Sequence, residues 1–197
     1  QKALYPATIS ATKEDLAVAQ AVARQALYLA MQSARRDFPQ NAAGIKPGLT
    51  PLFEPILAGG GALNDASRPG QGLLLLLDTI QPVGITTVIL DQNNLLPLLG
   101  AAASQNNILP VQVLESGAFL SVGTVVSPVV SARYGTSILR AKLTYETGVE
   151  AQVELKYGSL ETLPLAIGET GKLTIQCLHG ANVGFGPGRG GTIPVSG

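Results

Sequence analysis

The spacing of apolar residues changes character once along this chain, and that change limits the folds open to it. From Thr12 to about Phe38, Leu16, Ala19, Ala23, Leu27 and Ala30 recur three and four residues apart, the period of a helix with one packed face. Thr12 is placed to cap that helix. Glu14 and Asp15 fall in its first turn and Arg35 and Arg36 in its last, the ends where their charges suit the helix dipole. Pro39 opens a loop over residues 39–51 that also holds Gly44, Pro47, Gly48 and Pro51. The strand Phe53–Leu57 follows, then the turn Gly59-Gly60-Gly61, and then a polar turn from Asn64 to Gly70 in which Pro69 can start a helix. The helix Gln71–Ile80 carries five consecutive leucines and reads as buried all round. Ile85–Leu90 is a β-branched strand, and Leu95–Ala103 a short helix that Pro97 interrupts early.

After Asn107 the helical period gives way to alternation. Val111–Leu114 and Ala118–Val126 are strand candidates. Ile138–Tyr145 and Val149–Tyr157 form the clearest hairpin, closed by Glu146-Thr147-Gly148. Leu160–Leu165 and Lys172–Leu178 read as a second pair around a Gly-containing turn. The expectation is α/β followed by all-β. Residues 1–107 form a helix–strand–helix–strand–helix segment, and residues 108–197 a small antiparallel β-sandwich or barrel. Two strands are few for a doubly wound sheet, and the chain starts at Gln1 rather than Met. A fragment of a longer protein, with the sheet begun upstream, is the expected reading.

Composition closes off several function classes. At 46% hydrophobic and 13% charged the chain has ample material for a core. A net charge of zero argues against a nucleic-acid binder, whose phosphate contacts need clustered Lys and Arg, and gives no pull toward anionic membrane. The longest apolar run, Leu73–Leu77, is far short of the roughly 20 residues of a membrane span. The single Cys177 permits neither an internal disulfide nor a cysteine-only metal site and fits a cytoplasmic protein, and the one histidine, His179, rules out a His-rich site.

Two glycine-rich stretches invite a functional reading. Gly59, Gly60 and Gly61 follow a strand, where exposed backbone N–H groups can meet an anion or a nucleotide. A plain tight turn is the competing reading. Gly186–Gly191 matches G-x-G-x-x-G, but Pro187 and Pro194 exclude the helix that a dinucleotide fingerprint requires. That stretch reads better as a structural turn than as a loop using Arg189 against an anion. Asp65, Asp78 and Asp91 are the carboxylates near the first turn. Metal or general-base work needs two of them to converge, and spacing favours capping and turn roles for Asp65 and Asp91. Arg35 and Arg36 read as a solvated helix end, His179 as a turn residue and Cys177 as core. No nucleophile elbow or Ser/His/Asp pattern is present.

Taken together, Ile56–Gly61, Arg68–Gln71 with Leu74–Asp78, Gln81–Thr86, Leu90-Asp91 and Leu98–Ala102 resemble the C-terminal part of the MutL-type accessory proteins of glutamate mutase. In the β-rich tail, Gly117–Leu120, Tyr157–Glu161 and Val183–Gly188 look similar to the same family. That family is similar to the actin, Hsp70 and sugar-kinase ATPases. The resemblance implies a partial actin-like nucleotide subdomain, with Gly59, Gly60 and Gly61 at the adenosine of an ATP/Mg site and Leu99–Ala102 in a returning helix. It also implies a parent protein that supports a cobalamin-dependent mutase. The family's Asp-x-Gly-x-Thr phosphate motifs have no match here, so catalysis by this chain alone is not expected. The alternative is a non-catalytic interaction or assembly module on a degenerate nucleotide fold.

Overall fold

The computed structural model describes residues 10–38, 50–64, 66 and 68–197. The lead-in before residue 10, the loop over 39–49, and Asp65 and Ser67 of the polar turn lie outside the described residues. In chain order the elements are α1 (Lys13–Ala34), β1 (Ile56–Gly59), α2 (Gly61–Asn64), α3 (Pro69–Ile80), β2 (Gly84–Asp91), α4 (Leu96–Ala103), α5 (Ile108–Glu115), β3 (Leu120–Ser127), β4 (Ser137–Tyr145), β5 (Glu150–Lys156), β6 (Thr170–Cys177) and β7 (Gly191–Ser196). They form two sheets, a three-stranded one ordered β1-β2-β3 and a four-stranded one ordered β5-β4-β6-β7.

The described residues divide into two compact units, neither continuous in sequence. Of the described residues, one unit draws on 10–38, 55–64, 66, 68–81 and 88–122, the other on 50–54, 82–87 and 123–197. Among the described residues no helix is long and apolar enough to cross a membrane.

In the first unit, Thr12 caps α1 as its sequence position implies, its hydroxyl accepting from the Asp15 N–H at 3.0 Å. The helix stops at Ala34, so Arg35 and Arg36 lie in the turn after it and not in its last turn. α1 lies against α3, where Arg24 pairs with Asp78 at 3.1 Å, and buries none of its residues fully. β1 starts three residues later than the apolar run implies. Pro55 has no N–H to give a ladder, and the strand begins directly after it. Pro69 does open α3, but this helix is not buried all round. Gly72, Leu75, Leu76 and Thr79 face inward while Leu74 stays 47% exposed, so five leucines in a row serve two faces. β1 runs parallel to β2, with Ile56 opposite Val88 and Gly59 opposite Asp91.

Two expectations fail beyond Asn107. Val111–Leu114 is helix, part of α5, and not strand. The Asn106 side chain accepts from the N–H groups of Ile108 and Leu109 at 3.0 and 3.3 Å, and Pro110 fits a first helical turn, which outweighs the β-branched valines. Leu160–Leu165 is irregular and forms no pair with β6. Pro164 breaks its donor row, and Leu163 and Leu165 pack on the core from outside the ladder.

The β4–β5 hairpin holds as read, with Lys142 opposite Gln152, Leu143 opposite Ala151, and Tyr145 N–H donating to the Val149 carbonyl across the turn. β6 lies on the other side of β4 and is flanked by β7, a strand that its own Pro194 hid from the sequence. The sheet is open and ends in two edges, so no barrel closes. One face carries the core of this unit: Ile138, Leu139, Ala141, Leu143, Leu173, Ile175 and Cys177, with Ala181 and Val183.

Cys177 is buried as expected, a free thiol among these residues. Burial pushes its pKa above the ordinary thiol range, while a backbone hydrogen bond to Val183 pulls the other way. The folded state therefore resists forming the thiolate. The unfolded thiol ionises at lower pH, so this contribution to stability is intact below the ordinary thiol range and fades as pH rises through it. At pH 8 we expect native Cys177 to react with an aromatic disulfide reagent on the order of a hundredfold more slowly than in urea. Equal rates would place the thiol at the surface.

Candidate functional site

The three glycines that drew attention in the sequence do three different jobs. Gly59 ends β1 beside the end of β2. A Cβ there would meet the Asp91 Cβ at 3.2 Å, tighter than most side-chain contacts, so a larger residue would push the two strand ends apart by a few tenths of an ångström. Gly60 makes the turn with φ +115, a backbone conformation that L side chains rarely adopt, and a Cβ on it would meet nothing within 4 Å. Gly61 opens α2, and the Gly60 carbonyl accepts from the N–H groups of Leu63 and Asn64 at 3.0 and 3.1 Å. The turn is thus bound on its helix side and open on its outer side.

Asp91 is the charged group of this corner, only 1% exposed. Its two carboxylate oxygens accept from the N–H groups of Leu95 and Leu96, each at 2.8 Å, at the start of α4. It is a helix cap reached from four and five residues upstream, and it explains why Pro97 does not interrupt α4. The proline sits in the first turn, where its missing N–H costs nothing. Asn64 closes the other side. Its Nδ2 donates to the carbonyls of Asp91 and Gln92 at 3.0 and 3.2 Å, tying the end of α2 to the end of β2, and its Oδ1 has no partner among the described residues. Gly72 of α3 supports α2 from behind, since a Cβ on it would lie 3.3 Å from the Leu63 carbonyl.

Of the three candidate carboxylates, the two described, Asp78 and Asp91, do not converge. Asp78 is spent on Arg24 and Asp91 on the α4 cap, and Asp65 lies outside the described residues. Among the described residues no group of three His, Cys, Asp or Glu could hold a metal ion. Among the described residues this corner offers backbone at Gly60 and an unpartnered amide oxygen at Asn64, while the Asp91 carboxylate is taken up by the α4 cap. The role of Asn64 escaped the sequence, where it is one polar turn residue among several. The only signal for Asp91 was an acid shortly before a helix start.

The second glycine stretch is a locked turn. Asn182 Oδ1 accepts from the N–H groups of Gly184 and Gly186 at 2.9 and 3.0 Å, and the Gly188 N–H donates to the Ala181 carbonyl at 2.8 Å. A Cβ on Gly190 would fall 2.1 Å from the Ile175 carbonyl oxygen. These glycines let the chain turn and lie down on β6 as β7. The Arg189 side chain folds back over Gly186, where its Cδ would touch an added Cβ at 3.4 Å. His179, at φ +50 and exposed, is a turn residue as read. No family model matches the chain, and no curated protein or solved structure matches it either.

Proposed function

We propose that this chain is the C-terminal part of an actin-like ATPase of the MutL type, contributing the adenosine side of an ATP/Mg site to a parent that supports a cobalamin-dependent mutase. One observation carries this reading. A parallel strand pair ends at Gly59 and leads into Gly60, a turn glycine with a left-handed backbone and open space above it, directly before a helix. Ligands of open α/β sheets sit outside such carboxyl strand ends, and a backbone without a Cβ can lie flat against a purine. The Asn64 amide oxygen, buried at the same corner, has no partner among the described residues. Among the described residues no group of three His, Cys, Asp or Glu could hold a metal ion, so on this reading the phosphates and the Mg would be held by residues other than those described.

The test uses the chain as it stands. Titrating adenosine to millimolar concentration should move the backbone amide resonances of Gly59, Gly60, Gly61 and Leu63. Gly60→Val should abolish those shifts, because it forces a branched side chain into a conformation costing roughly 1–2 kcal/mol or more and fills the space above the turn. Silent amides, or shifts that survive Gly60→Val, overturn the adenosine assignment.

A second reading, a non-catalytic interaction or assembly module, is favoured by the amount of apolar surface left open. Val18, Val22 and Leu29 lie on one stripe of α1 at 65%, 64% and 54% exposure, and Leu98 and Ile108 at 67% and 60%. Silence toward adenosine together with specific self- or partner-association would select this reading.

A further inference from the structure

The two edges of the four-stranded sheet are not equivalent. On β7 the Gly197 N–H donates to the Glu169 carbonyl. By alternation Gly191, Ile193 and Val195 spend their backbone groups on β6, and Thr192, Pro194 and Ser196 face the open edge. Pro194 has no N–H, so the middle of that edge cannot accept another strand. On β5 the Tyr145 N–H donates to the Val149 carbonyl and the register runs on through Leu143 opposite Ala151 and Ala141 opposite Val153. The odd residues of β5 therefore face β4. Glu150, Gln152 and Glu154 turn their N–H and C=O groups outward, with no proline among them. The row ends at Lys156, whose N–H and carbonyl are taken up by Ser159. None of the inward side chains Ala151, Val153 and Leu155 is charged, and Val153 and Leu155 are half-buried at the rim of the core. An inward-pointing charge is a common means of blunting an edge, and β5 lacks one.

We propose that β5 is a self-association edge that pairs antiparallel with β5 of a second copy about a two-fold axis at Val153, joining two four-stranded sheets into one. The β5 sequence is complementary to itself in that register. Glu150 stands opposite Lys156 of the second copy and the reverse, Gln152 stands opposite Glu154, and the inner face pairs Val153 with itself and Ala151 with Leu155. The pairs Gln152–Glu154 fall on outward-facing backbone groups of both strands, so each exchanges two N–H···O=C bonds. Within each copy Glu154 also keeps Arg140 at 3.0 Å and Glu150 keeps Lys142 at 2.9 Å, so the outer face of each sheet already balances charge beside the joint. The inference is independent of the nucleotide reading.

Sedimentation velocity across the micromolar to millimolar range tests it. The full chain should show a monomer–dimer equilibrium. Gln152→Pro removes only an outward N–H and should weaken the dimer at least about tenfold while its circular dichroism and melting stay close to those of the parent. Glu150→Lys and Lys156→Glu each place like charges at both ends of the joint and should each be monomeric where the parent is dimeric. Mixed together they should form a heterodimer, because each end then carries one charge of each sign. A parent that stays monomeric to millimolar concentration overturns the proposal. So does a dimer that ignores Gln152→Pro, or a pair of charge variants that fails to dimerise on mixing.

Discussion

Gly190→Ala is expected to detach the start of β7 and to destabilise the β-rich unit by several kcal/mol, about 2–4 on the scale of overpacked sites. The added methyl would fall 2.1 Å from the Ile175 carbonyl oxygen and 3.2 Å from the Gln176 Cα. Both are backbone atoms of β6, a strand held on its other side by β4, so neither can swing away as a side chain could. The chain at Gly190 must lift instead. Lifting it breaks the first β7 rung, Gly191 opposite Ile175, and uncovers Ile193 and Val195 on the core rim. Hydrogen exchange should report the loss at the amides of Leu173 and Ile175, and urea unfolding should give its size. The contrasting variant is Gly100→Ala. Gly100 lies within α4, and a Cβ on it meets nothing within 4 Å. There the same added methyl should stabilise by about 0.5–1 kcal/mol, the helix-propensity difference between alanine and glycine. If the two variants shift stability in the same direction, close backbone approach is not what Gly190 provides.

That contrast also shows where sequence reasoning works on this chain. α1 begins where Thr12 implies and the β4–β5 hairpin has the expected register, because a cap and a strict alternation are local signals. β7 escaped because Pro194 reads as a strand breaker until the strand is known to be an edge, and only the sheet order reveals that. α5 escaped because Val111 and Val113 favour strand on their own while Asn106 and Pro110 favour a helix start, and the capping bonds decide. α3 is less buried than its sequence implies because five leucines in a row carry no period with which to separate an inner face from an outer one. For the candidate site, the three glycines were legible as a turn. The close approach at Gly59, as distinct from the turn at Gly60, is set by Asp91, which is distant in sequence and reaches it only through the β1–β2 pairing.

Asp91→Ala should cost the first unit about 2–4 kcal/mol, more than an ordinary exposed cap, because the carboxylate is buried and accepts two hydrogen bonds from N–H groups that have no other acceptor in the helix. The first turn of α4 should fray, seen as faster exchange at the Leu95 and Leu96 amides. Asp91→Asn keeps one acceptor oxygen and nearly the same shape, so it should lose roughly half as much. Equal losses in the two variants would mean that the negative charge at the helix start, and not the bond count, is what α4 needs. The pair also bears on chemistry at this corner. Each Asp91 oxygen already serves a backbone N–H, and the side chain is sealed behind Gly59. A carboxylate in that position holds strand and helix together and has little left to offer an ion. If the proposed adenosine contact is made by backbone, Asp91→Asn should leave the ligand-induced shifts at Gly60 in place while Gly60→Val removes them. Loss of those shifts in Asp91→Asn, with the fold intact, would move the recognition from the glycine backbone to the carboxylate.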